Sequence, residues 1–154
     1  MQAPLILQTY LDEVGSAVMA DDWVAYRPCI QLPCHVVSFA LNKVVATEAE
    51  LHQGFDDFRD LLRFHRVTDY VRLVEQAVQL EQDMISGAYL SHLLASGQRL
   101  LEPFRSLITL RRSDGRWRAV SVTNGLANSR WSQTRPNPSL STDPTKPDPK
   151  EPTK

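Results

Sequence analysis

His35, Tyr89 and Glu102 are the residues of this chain whose types could move a proton between them. A carboxylate or an imidazole can take a proton, and a phenol can donate a hydrogen bond to a developing oxyanion. Such a mechanism needs two titratable groups whose surroundings separate their pKa values. Ser91 and Ser121 would add hydroxyls to the same face, and Trp117 an apolar wall, so these six side chains are the candidate ligand-binding set. A structural reading competes with this one and carries more weight. In it His35 is a core or rim histidine, Tyr89 fills volume with its hydroxyl bonded, and Glu102 sits at a strand end in water. No catalytic residue is assigned.

Other chemistries find less support. Cys29 and Cys34 lie in "PCIQLPCH" beside His35, but a metal centre would need two more ligands, and no second cysteine pair or spaced histidine pair follows. They read as two small buried hydrophobes, and neither metal nor cofactor is expected. His52 and His65 fall on a helix, and the six glycines are dispersed, with no phosphate-cradling loop or nucleotide fingerprint. A net charge of −1 gives no field that would draw nucleic acid or an anionic membrane. No apolar run approaches the ~18 residues of a membrane span. The start "MQAPLILQTY" lacks a basic leader, so a cytoplasmic location is expected.

The elements that must position these residues follow from periodicity. With 154 residues, 42% of them hydrophobic, the chain suits one core. From about Leu5 to Ala20, Leu7, Leu11, Val14 and Val18 recur at helical spacing. Asp21 and Asp22 offer a cap for a short helix, "WVAYR", which Pro28 stops. "CHVVSFALNKVVA" reads as two strands around an Asn-Lys turn, with His35, Val37, Phe39 and Leu41 on one face. Thr47 and Glu50 then form a capping box for a long helix, whose stripe is Leu51, Phe55, Phe58 and Leu62. From Thr68 to Gly125 strand follows strand, broken at "LEQD", "ASGQ" and "SDG". Six of the ten prolines fall after residue 135, so the domain is expected at 1–131, with a Pro-rich disordered tail over 132–154.

An Asp114-Gly115 turn of two residues predicts that Arg112 faces Trp117, Leu110 faces Ala119 and Ile108 faces Ser121. That register gathers Phe104, Ile108, Leu110, Trp117 and Ala119 on an inner face. Treating Gly97-Gln98 likewise adds Ile85, Gly87, Tyr89, Ser91 and Leu93. The outer face then holds Leu90, Leu107, Val120 and Val122, rimmed by Arg105, Arg118 and His92. An apolar patch on a sheet face marks a partner surface, and a homodimer through it is expected. The competing arrangement has the segment after Gly125, with Trp131, folding back over the patch.

Two helices, a short hairpin, a long capped helix and an antiparallel run ending in "DGRWRAVSV" form a specific order. It resembles the nuclear transport factor 2-like superfamily, in its SnoaL-like and ketosteroid-isomerase-like branches, over about Leu5 to Gly125. The resemblance implies an α+β fold: a cone-shaped, curved antiparallel sheet wrapped around the long helix, with N-terminal helices and a pocket at the open end. It also implies sheet-to-sheet dimers. Enzymes of the superfamily commonly place Asp with Tyr or His in the pocket, and the inner face here supplies no Asp, so no catalytic position carries over. A SnoaL-like pocket domain that binds a small, partly apolar molecule as a homodimer is the leading expectation. A cofactor-free acid/base enzyme (isomerase, cyclase or dehydratase) and a non-enzymatic dimerisation module are the alternatives.

Overall fold

The apolar stripe of the first helix is buried along its length, from Leu7 through Leu11 and Val14 to Val18. The computed structural model describes residues 2–125. In it α1 (Ala3–Met19) leads into α2 (Trp23–Tyr26) and one 3₁₀ turn (Arg27–Cys29). The hairpin β1 (Ile30–Val37) and β2 (Asn42–Val45) follows, then α3 (Glu48–Phe64). The rest is strand: β3 (Asp69–Glu81), β4 (Met84–Ala95), the two-residue β5 (Gln98–Arg99), β6 (Phe104–Ser113) and β7 (Arg116–Asn124). The expected boundary at Trp131 and the tail over 132–154 lie outside the described residues.

Local chemistry sets the helix ends. Asp22 accepts the Ala25 N–H at 3.1 Å and starts α2. Thr47 and Glu50 make the expected reciprocal box, with Glu50 N–H on the Thr47 hydroxyl at 3.1 Å and Thr47 N–H on the Glu50 carboxylate at 3.2 Å. Leu51, Phe55, Leu61 and Leu62 of α3 join the core formed by α1 and the sheet.

The sheet is curved and unclosed, in the order β2-β1-β7-β6-β4-β3 with β5 alongside β4. The strands after Thr68 pair antiparallel, as expected, while β1 lies parallel to β7 and makes the sheet mixed. Its concave face carries Ile85, Tyr89, Leu93, Ile108, Leu110 and Ala119, all buried. The helix α1 crosses this face at β3 and β4. A side chain at Gly87 of β4 would run into Leu7 of α1 and the Gln76 carbonyl, so the close approach requires glycine there.

Three expectations of register are corrected. The β1–β2 turn is Ser38–Leu41, closed by Ser38 N–H on Leu41 O at 2.7 Å and the reverse bond at 3.3 Å. Asn42 and Lys43 therefore pair within β2, and Phe39 stands at the tip, 83% exposed. The β4–β5 turn is Ser96-Gly97, not Gly97-Gln98: Ala95 faces Gln98, and φ values of 52° and 83° give the paired left-handed residues of a tight hairpin. Asp114-Gly115 is the two-residue turn expected, and Arg112–Trp117 and Leu110–Ala119 face each other. Beyond them Thr109 faces Ser121, so Val120 is an extra residue on β7. That bulge places Val122, not Ser121, opposite Ile108. Val122 thus packs against the core and leaves the outer patch.

Replacing Thr47 with alanine removes one half of the capping box and should cost about 1 kcal/mol. Differential scanning calorimetry should show the midpoint lowered by a few degrees with the folded circular dichroism unchanged.

Candidate functional site

The two faces of the sheet separate the residues that the sequence grouped. Tyr89 and Ser91 do lie on the concave face, 4% and 2% exposed. His35 does not. It is exposed, its Nε2 is 2.7 Å from Asn42 Oδ1, and it pairs with Ser121 on the convex side. The reason is parity: Cys34 turns inward and is buried, so its neighbour turns out. Ser121 left the concave face through the bulge at Val120. Glu102 belongs to the β5–β6 connection, its side chain 89% exposed and 3.5 Å from Arg99. Trp117 keeps its inward register, with Arg112 Cζ 5.1 Å over its ring. Ser106, opposite Tyr89, is six residues along β6 from Arg112, its partner, about 20 Å at the rise of a strand. His35, Tyr89 and Glu102 therefore do not converge on one cavity.

What the concave face does bring together is a cation and tyrosines. Arg72 of β3 sits opposite Ser91 and is only 8% exposed. Its Nη2 donates to the Leu11 carbonyl of α1 at 2.9 Å. Its Cζ lies 4.7 Å from the centre of the Tyr70 ring and 5.6 Å from that of Tyr89. Among the described residues no carboxylate forms an ion pair with it. Gln8 of α1 ties the same stretch of edge strand, giving its amide to Arg72 O at 2.7 Å and accepting Val74 N–H at 2.9 Å. Beside these, Tyr10 donates to the Cys29 carbonyl at 2.8 Å.

Burial opposes the charge on Arg72, yet Tyr70, Tyr89 and Tyr10 offset it and hold the guanidinium above its ordinary value. Burial pushes Tyr10, Tyr26 and Tyr70 up, because a phenolate would lose its water. Burial likewise raises Cys29, and takes Cys34 from the ordinary thiol value of 9.0 to about 11. Every shifted group of the cluster thus keeps its proton at neutral pH. The cluster can donate hydrogen bonds and hold an anion; it is poorly suited to abstract a proton.

A cleft of about 350 Å³ opens beside this cluster, between α1 and the start of β3, and Arg72 and Tyr70 help to line it. Sequence reasoning missed Arg72 because an arginine in an alternating strand is by default its wet residue. The signal lay in the neighbours: Tyr70, Arg72 and Val74 share one parity, and their partners on β4 include Tyr89 and Ser91, already placed inside.

With 11% identity, the chain superposes on a nuclear transport factor 2-like protein of unknown function from Shewanella oneidensis at a TM-score of 0.62, covering 77% of this chain and 95% of that one. A protein of unknown function with a cystatin-like fold from Nostoc punctiforme gives 0.59 at 14% identity, over 78% and 87%. A candidate ketosteroid isomerase from Shewanella frigidimarina gives 0.57 at 13%, over 78% and 94%. The chain has the nuclear transport factor 2-like fold. By sequence, no family model and no curated protein matches it. Among the described residues no helix is long and apolar enough to cross a membrane.

The buried thiol sets a pH dependence. The unfolded chain releases the Cys34 proton near 9.0 and the folded chain near 11, so between these values the folded state binds more protons. Stability present below pH 9 should therefore be lost as pH rises toward 11. Urea midpoints across that window should fall, and Cys34→Ala should flatten part of the slope.

Proposed function

We propose that this chain is a homodimeric binding domain for a small, partly apolar organic acid, whose anionic group is taken by Arg72. The observation that carries the reading is the cation itself. A charge removed from water is costly unless paired, and this one has a carbonyl and aromatic faces but no carboxylate among the described residues. An anionic ligand would supply the missing partner, and the tyrosine rings would cover its apolar part. The raised proton affinities of the surrounding phenols and thiols support binding over acid/base catalysis.

The convex face supports self-association. Val71, Leu73, Val78 and Leu107 stand between 39% and 51% exposed on one side of the sheet. Arg105 and Glu75 pair across strands beside Leu73, at 3.0 Å from Nη2. A surface with an apolar centre and both signs of charge at its edge is self-complementary under a two-fold axis.

Thermal shift with 3-phenylpropionate should raise the melting temperature of the wild type and leave Arg72→Gln unmoved. Stabilisation that survives the substitution, or none with any small carboxylate, would overturn the reading. Leu107→Asp should give a folded monomer by light scattering. Val122→Asp, now known to point inward, should instead lower stability by about 2 kcal/mol or more without that clean change of mass.

A further inference from the structure

Gly15 lies in the interior of α1, where alanine would make the better helix, since glycine loses more freedom on folding. A Cβ at this position would fit. It would meet Arg72 Nη2 at 3.7 Å, Tyr70 O at 3.8 Å and Tyr70 Cδ2 at 3.9 Å, all ordinary contacts. Steric need therefore does not account for the glycine. Gly15 borders the α1–β3 cleft, beside the guanidinium and a carbonyl of the edge strand.

The charges around this cleft are of both signs and are layered. Arg72 is at the buried end. Asp12 of α1 is exposed on its lining, whereas Asp69 of β3 has the outward parity of Val71. Asp12 accepts the Gln8 amide at 3.0 Å, a bond that orients the carboxylate without neutralising it. Leu11 and Met19 supply apolar wall. The volume, about 350 Å³, is at the small end of ligand pockets.

We infer that this cleft takes a small zwitterion of the α-amino acid class with an apolar side chain. This rests on the acid-binding reading of Arg72 and goes beyond it. A simple carboxylate would meet Arg72 but pass a like charge at the rim, and a simple amine would meet the rim but leave the buried cation unpaired. A molecule carrying both groups satisfies both ends. Its carboxylate faces Arg72, its ammonium faces Asp12 and the Tyr70 carbonyl, and its side chain lies on Leu11 and Met19. The arrangement selects by charge pattern, so it discriminates against molecules bearing one charge alone.

The experiment is calorimetric titration of the full chain with L-phenylalanine, 3-phenylpropionate and 2-phenylethylamine. L-Phenylalanine should bind about tenfold or more tighter than 3-phenylpropionate, the worth of one charge-assisted hydrogen bond, and 2-phenylethylamine should not bind. Asp12→Asn, a surface change, should weaken L-phenylalanine by a similar factor and leave 3-phenylpropionate no weaker. Gly15→Leu should fill the cleft and abolish binding with the folded circular dichroism retained. Should that variant fail to fold, Gly15→Ala, which the spacing accepts, should still weaken binding measurably. Equal affinity for L-phenylalanine and 3-phenylpropionate, lost in Arg72→Gln, would overturn the zwitterion and leave the acid-binding reading standing. No binding of either overturns both, and undiminished binding in the Gly15 variants removes the cleft as the site.

Discussion

One buried guanidinium governs how the first helix meets the sheet. Arg72 is an inward residue of an edge strand, and its charge cannot be left in an apolar interior without compensation. The fold compensates by bringing α1 across it, so that the Leu11 carbonyl accepts Nη2 from inside the helix. The same docking lets Gln8 bond the strand through both ends of its amide. Those two bonds occupy backbone groups that an edge strand would otherwise offer to another chain. Leu7 completes the contact by filling the space over Gly87. A polar requirement at one residue thus fixes helix position, edge protection and a close packing point together.

The opposite faces of the sheet answer different demands. Concave positions hold the core and its few buried polar groups, Arg72, Ser91 and Ser106. Convex positions of the same strands keep Leu73 and Leu107 half-exposed. Alternation makes this separation strict, since neighbours in a strand cannot share a face. It follows that a residue's chemistry here is set by its parity before its type. Tyr89 is a site candidate because it is inward, and His35 is not because it is outward, although the imidazole is the better base.

That dependence also explains what could be read from the sequence. The long helix was legible because Thr47 and Glu50 are local signals that act across three residues. The last hairpin was legible because Asp114-Gly115 admits few geometries, and its register held to Leu110 and Ala119. A bulge is different. Val120 carries no mark in an alternating apolar run that would single it out, yet it reverses every residue after it. From that one insertion come the displacement of Ser121 and the inward turn of Val122. The parallel pairing of β1 with β7 spans most of the chain and leaves no local trace, so the outward parity of His35 was equally hidden.

Arg72 presents the converse problem, in which the local reading is clear and wrong. A strand reading Asp69, Tyr70, Val71, Arg72, Leu73 offers arginine to water by every single-residue preference. The sheet reverses the choice because Tyr70 and Val74 share its parity and because β4 presents Tyr89 and Ser91 opposite. Placing Val71 and Leu73 outward is then unavoidable, and both are exposed. The strand thus spends apolar surface outside in order to hold a cation inside. A sequence under stability alone would exchange the two sets, since a packed apolar residue at this position would replace a desolvated charge. Among the described residues, local preference and fold agree at the helix caps and at the Asp114-Gly115 turn. Where they conflict, at Arg72 and at the helical glycine facing it, the fold gives up stability of its own, and it is there that the proposed ligand would restore the balance.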